Sequence, residues 1–557
     1  MKKTMIWGLS ILLLAGTVLA GCSTNNAGSN NNAGSTNNPS ASANANKSPV
    51  ALKAFMIGDP ELDMNTNKFT QEMNEKLNVK LNIQINSNET AKEKRQLALT
   101  SGDYPDIFLL NWSDVITPSE LMKLGSQGVL LPLNELIDKY GPNIKKRMEE
   151  IPNYKSITAP DGNIYGLPAI NECYHCSFGS KMWVNTEWLK KVGMEMPKTT
   201  EDFKKMLVAF KETDLNGNGK KDEIPLSGAV GNPVASVLMN AFINDDSGTH
   251  CNNAPCYFIS KDGKAEFTAN KPEFKAGLEY IASLYAEGLI DPGAFSQNGP
   301  AYKQVVNRDG IATTGVAIGL HPYVFFDPNN PIHLQYEAIP PLKGPSGVQT
   351  TGYGGGKNLG GANFAISNKA NKEQQIAAIK LADYLVTDEG TIRATHGEKG
   401  VNWTEGTASD LDLNGKPAKY KPIVLPLGET RKHNNAWSEV GPFVKTKDFR
   451  ASWAADQDIK AKAGYELRLF KATQLYDGFQ PKESFPGNMF IDPAAVEEYT
   501  MLLTNINKYV DENKVKFITG NKKFASDWDA YIEGFNKLKL DRYLEITQKA
   551  MDSTKKK

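Results

Sequence analysis

The segment Asp214 to Leu226 reads DLNGNGKKDEIPL, with oxygen-bearing side chains spaced through it and glycines between them. With Asp214 as position 1, Asn216 is position 3, Asn218 is 5, Gly219 is 6, Lys220 is 7 and Asp222 is 9. An EF-hand loop places side-chain oxygens at 1, 3 and 5, a glycine at 6 for the sharp turn and a backbone carbonyl at 7, so that several oxygens face one hard cation. The pattern departs at its end. Position 12, where an EF-hand carries a bidentate Glu, is Pro225, and Glu223 stands at position 10. The alternative is an Asx-rich turn closing the preceding helix. A partial look-alike, DLNGK at Asp412 to Lys416, lacks the second half and reads as a turn.

Five cysteines are the other reactive group. Cys22 ends the run LAGC after a basic start (Lys2, Lys3) and an apolar stretch from Ile6 to Leu19. That is a secretory signal closed by a bacterial lipobox, so Cys22 is expected to be lipidated and to become the new N-terminus. Diacyl chains such as palmitate would make the anchoring stable. Cys173, Cys176, Cys251 and Cys256 would then lie in an oxidising compartment, where disulfides are the default. His175 and His250 stand beside them, and a zinc site is the alternative. Sequence does not fix the pairing.

Elements must position these groups. Ser23 to Ser48 is almost all Ser, Asn, Ala, Gly and Thr, too poor in apolar side chains for a core, and reads as a flexible tether. The remaining chain to Lys557 is long enough for two lobes. Lys plus Arg equals Asp plus Glu at 63 each, which points away from nucleic acid and from an electrostatic membrane surface. Ala51 to Gly58, Val79 to Asn86 and Ile107 to Leu110 read as strands, separated by helices at Phe69 to Leu77 and Glu89 to Thr100. That alternation predicts a parallel α/β sheet, with ligands beyond the carboxyl ends of its strands, where Asn111, Trp112 and Ser113 fall. Thr199 and Asp202 resemble a capping box for a helix whose apolar face is Phe203, Met206, Leu207 and Phe210. Gly361 to Gly390 reads strand, turn, helix, and Tyr531 to Lys557 reads as one tail helix. GYGGGKNLGG, Gly352 to Gly361, lacks the rest of a nucleotide-binding unit and reads as a loop.

The lipobox, SGDYPDIF, YGLPAI followed by KMWVNTEWLKKVG, PKTTEDF, NGNGKKDEIPL and KLADYLVTDEG together resemble the extracellular solute-binding proteins of ABC importers. The resemblance is to the sugar-binding group that includes the maltose-binding protein, and within it to LplA/LipO-type lipoproteins. It implies an α/β, two-lobed periplasmic-binding-protein-like fold of type II, with a ligand cleft between lobes that close by hinge motion. The expected organisation is a signal peptide at 1–21, a tether at 22–48, one lobe from 49–170 with 355–400, and a second from 171–354 with 401–557. Crossings are expected near Leu167–Cys176, Tyr353–Gly361 and His396–Trp403.

The family's shortened metal loop, carried over by position, makes Asp214, Asn216, Asn218, Asp222 and Glu223 side-chain ligands and Lys220 a carbonyl ligand of a structural Ca²⁺. Sugar rings need flat aromatic walls and polar groups for their hydroxyls. Where the fold places the cleft, the candidates are Trp112, Tyr165, Asn171, Glu172, Tyr174, Trp183, His321, Tyr323, Trp403 and Trp437. Trp188 and Trp453 read as core. The implied function is capture of an oligosaccharide at the outer face of the cell membrane by a lipid-anchored monomer, for delivery to an ABC permease, without catalysis. A surface lipoprotein reporting to a sensor kinase shares the fold. A secreted glycoside hydrolase is a third reading, and no catalytic signature supports it.

Overall fold

The computed structural model describes residues 48–247, 256–308, 310–354, 361–424, 434–487 and 489–555. Cys22, the signal segment, most of the tether, His250 and Cys251 lie outside them.

Strand Val50–Ile57 pairs in parallel with Val79–Asn86 on one side and Ile107–Leu109 on the other, in the registers Val50 to Val79 and Ala54 to Ile107. Phe364–Ile366 adds antiparallel to the far edge, giving a four-stranded sheet. Side chains alternate across a strand. Leu52, Ala54 and Met56 therefore enter one core with Leu381 and Leu385 of helix Lys372–Leu385, while Phe55 and Ile57 join Phe108, Leu110 and Tyr165 on the opposite face. The helices begin and end on local chemistry. Asn67 accepts from the backbone N–H groups of Phe69 and Thr70 to start helix Lys68–Leu77, and Asn78 ends it in the left-handed conformation.

The second sheet has the order Tyr336–Ala338, Lys181–Asn185, Thr314–Gly319, Ile224–Ser227. Lys181–Asn185 runs antiparallel to both of its neighbours, and Thr314–Gly319 runs parallel to Ile224–Ser227. Its core takes in helix Thr200–Glu212, capped by the predicted Thr199–Asp202 box, and the long C-terminal helix Val496–Ile518.

Three features differ from the sequence reading. Part of the segment assigned to the second lobe from 401 onward returns to the first: Trp437, Val440 and Val444 belong to the first core, while Leu469, Val496, Phe517 and Met551 belong to the second. The backbone N–H of Trp437 donates to the carbonyl of Ala394 at 2.9 Å. His396–Trp403 leads into a small hairpin, Trp403–Glu405 with Tyr420–Pro422. The later passage between cores runs through Val444–Lys445, which pairs in parallel with Ile170–Asn171. Thirdly, the tail is two helices, Phe524–Lys537 and Leu540–Lys555, because Lys539 adopts φ 57° and breaks the repeat.

Candidate ligand cleft and metal loop

The metal-type loop leaves helix Thr200–Glu212 and enters strand Ile224–Ser227. Gly217 and Gly219 take φ of 77° and 82°, a region other L-residues adopt at a cost, and they allow the tight turn. The Asp214 carboxylate accepts from Gly217 N at 2.8 Å and Gly219 N at 2.9 Å. Asn216 Oδ1 accepts from Asn218 N and Asn218 Oδ1 from Lys220 N. Asp222 accepts from both Asn amides, which hold its carboxyl below the usual range. Glu223 is 6% exposed; its Oε1 accepts from Leu215 N and Asn216 N, and its Oε2 is buried without a hydrogen-bond partner. A buried carboxylate oxygen with no partner is costly. Coordination of a hard cation by Oε2 removes that cost, so this donor set fits Ca²⁺.

The cleft candidates separate by burial. Trp112 is 76% exposed, at the carboxyl end of the parallel strands. Its loop is clamped from below. Arg95, wholly buried on helix Ala91–Ser101, donates Nε to Asp114 Oδ2 at 2.6 Å and Nη2 to Oδ1 at 2.9 Å. Asn111 and Ser113 both donate to Asn88 Oδ1, at 2.9 and 3.1 Å. The sequence reading missed Arg95, Asn88 and Asp114, since only the fold brings helix and loop together.

Asn171 lies on the strand between the lobes. Its Oδ1 accepts from Arg450 at 2.9 Å and its amide donates to Glu439 at 3.4 Å. Glu172 accepts from Lys447 N at 2.8 Å. Arg450 also reaches Glu466, which lies 3.3 Å from His175 Nδ1. Burial raises the Glu466 carboxyl pKa, but His175 and Arg450 outweigh it and lower it to about 2. Tyr174 is half-buried and its hydroxyl donates to Asp477 at 2.6 Å. Tyr323 stacks on Tyr465 with centroids 3.8 Å apart, and His321 Nδ1 lies 3.2 Å from the Tyr465 hydroxyl. Arg450, Glu439, Glu466 and Tyr465 lie far along the chain from the residues they meet, so no local pattern announced them.

Four predicted contacts are buried in the structure. Trp183 is 1% exposed in the second sheet, with Nε1 donating to Gly319 O. Trp437 is 2% exposed, with its edge on Phe69 and Nε1 donating to Thr70 Oγ1. Tyr165 packs on the face of Gly125 and its hydroxyl donates to Asp161. Trp403 is buried, with Nε1 donating to Gly397 O. Each indole or phenol has its polar atom bonded to protein. Trp188 is core as expected, and Trp453 stacks on His396 with centroids 4.2 Å apart.

Cys173 and Cys176 form a disulfide. Cys256 is buried, and Cys251, its sequence neighbour, lies outside the described residues. No helix among the described residues is long and apolar enough to cross a membrane.

Residues 63–392 match the family described as bacterial extracellular solute-binding protein. The chain is 31% identical over 471 residues to the fructooligosaccharide ABC transporter substrate-binding protein FusA of Streptococcus pneumoniae, covering 83% of this chain and 82% of FusA. It is 22% identical to lipoprotein LipO of Bacillus subtilis, over 74% of this chain and 76% of LipO. The solved structure of FusA with kestose superposes with a TM-score of 0.72 at 27% identity, covering 91% of this chain and 99% of the solved chain. A FusA EF-hand mutant has been solved in complex with fructo-nystose, with the same TM-score of 0.72. The two-sheet architecture, the lobe-crossing strands and these matches agree: the chain belongs to the bacterial extracellular solute-binding protein family.

Proposed function

We propose that this protein captures an oligosaccharide between its two lobes, of the fructooligosaccharide class, and hands it to an ABC importer permease. The observation that carries the reading is the 31% identity to FusA along 83% of the chain. The exposed indole of Trp112, beyond the strand ends and clamped by Arg95, supports it, since an apolar sugar face needs a rigid flat wall. Tyr174, Asn171, Glu172, His321 and Tyr323 are proposed as further contacts, joined by Arg450 and Glu439. The loop Asp214–Glu223 holds a structural Ca²⁺ in this reading, and Cys22 carries the lipid that keeps the monomer at the outer face of the membrane. The protein acts as a carrier and catalyses no reaction.

Isothermal titration with kestose, nystose, oligogalacturonides and oligopeptides tests this. Saturable heat with the fructans supports the proposal. Heat only with oligogalacturonides moves the ligand to another sugar class, and heat only with peptides overturns the sugar reading altogether.

A further inference from the structure

The segment Cys173-Tyr-His-Cys176 sits where the chain first passes between the cores, and its disulfide hides a second coordination chemistry. The ligand atoms of Cys173, His175 and Cys176 all lie within 4.8 Å of one another. Cys173 Sγ and His175 Nε2 are 3.6 Å apart. Zinc bonds of about 2.3 Å to sulfur and about 2.0 Å to nitrogen, at a tetrahedral angle, separate those two atoms by about 3.5 Å. The other ring nitrogen faces a carboxylate: His175 Nδ1 is 3.3 Å from Glu466 Oε1. That carboxylate–histidine pairing fixes the tautomer with Nε2 free to coordinate. The backbone N–H of Cys176 donates to Cys173 Sγ at 3.3 Å, which favours a thiolate there.

Hydrogen bonds brace the loop alongside the disulfide. Ser177 Oγ donates to Cys173 O at 3.0 Å, and Lys181 Nζ donates to His175 O at 3.1 Å. Gly354 N donates to Ser177 O at 2.6 Å and braces the same turn.

We propose that reduction converts this disulfide into a zinc site with Cys173, His175 and Cys176 as ligands and water in the fourth position. A dithiol supplies two electrons to the S–S bond, leaves as its own cyclic disulfide and yields two protein thiols. Zn²⁺ then binds both sulfurs as thiolates and Nε2 of neutral His175, releasing two protons. Oxidised, the segment is a covalent staple; reduced, it is a metal chelate at the same crossing.

The test uses a Cys22→Ser/Cys251→Ser/Cys256→Ser protein, to remove the other cysteines, with Ca²⁺ present to occupy the loop at Asp214. After reduction with dithiothreitol and its removal under argon, Zn²⁺ binding is measured by competition with a chromogenic chelator, and Co²⁺ binding by its thiolate-to-metal charge-transfer band. The expected result is one tight equivalent in the reduced protein and none in the oxidised one. His175→Ala weakens it by more than about tenfold, and Cys173→Ser/Cys176→Ser abolishes it together with the band. Melting temperatures confirm that each variant is folded. Equal binding by oxidised and reduced protein, or unchanged affinity in folded His175→Ala, overturns the proposal.

Discussion

Trp112 stands 76% exposed on a loop that Arg95 and Asn88 hold still, whereas Trp437 is 2% exposed against Phe69. The two side chains therefore fail differently on truncation. Trp112→Ala is expected to cost about 2 kcal/mol of oligosaccharide affinity, on the order of thirtyfold in Kd by titration. Its melting temperature should stay at the parent value. Trp437→Ala opens a cavity and leaves Thr70 without its donor, so it should cost about 3–5 kcal/mol of stability in urea unfolding. Unchanged affinity in Trp112→Ala would remove that indole from the cleft. Exposure was not legible at this scale. Both tryptophans precede serine, as NWS and AWS, and only tertiary packing distinguishes them.

At the scale of elements, the loop from Asp214 to Glu223 was readable because its chemistry is local: every oxygen and both turn glycines lie within ten residues. The unpartnered Glu223 Oε2 gives it a direct test. Ca²⁺ should raise the melting temperature of the parent, a chelator should lower it, and Glu223→Gln should abolish the difference while sugar binding persists. Loss of sugar binding in folded, chelated protein would place the loop in the cleft. Helix Tyr465–Gln474 offers the opposite case. From it Arg468 donates to His333 Nδ1 and O, each at 2.8 Å, and to Tyr336 O, tying the helix to the second sheet. An acceptor Nδ1 requires neutral His333. Burial, then the Arg468 charge, lowers its pKa from 6.5 to about 4, and burial does the same to His321. Below about 6.5 the unfolded imidazoles take protons that the folded ones refuse. The stability these groups provide is thus complete above that pH and declines as pH falls toward 4. Melting temperature against pH should show this limb, and His333→Gln should make it shallower.

Across the whole molecule, one short stretch joins the two cores away from the crossing strands. Met489 and Ile491 belong to the second core, while Phe490 between them is buried with Phe55, Phe108 and Tyr165 behind the first sheet. Alternation along an extended segment sends neighbouring side chains to opposite sides. Phe490 therefore ties the two cores together at a point apart from the paired strands Ile170–Asn171 and Val444–Lys445. Phe490→Ala should cost about 3–5 kcal/mol in unfolding and shift the radius of gyration of the ligand-free protein in X-ray scattering. An unchanged radius would show that this contact does not constrain the lobes.

The sequence by itself determined whatever depends on neighbours along the chain. The parallel strand–helix alternation from Val50 to Leu109, the Thr199–Asp202 cap and the Asp214 loop all follow from period, capping and spacing. Tertiary structure decided which aromatics face solvent, that Trp437 returns to the first core, and that Arg450 and Glu466 gather around Asn171 and His175. It also selected Cys173–Cys176 as a disulfide. These depend on contacts between residues up to 367 positions apart. Burial and pairing at that range arise from how two separately formed cores meet, which no local pattern records.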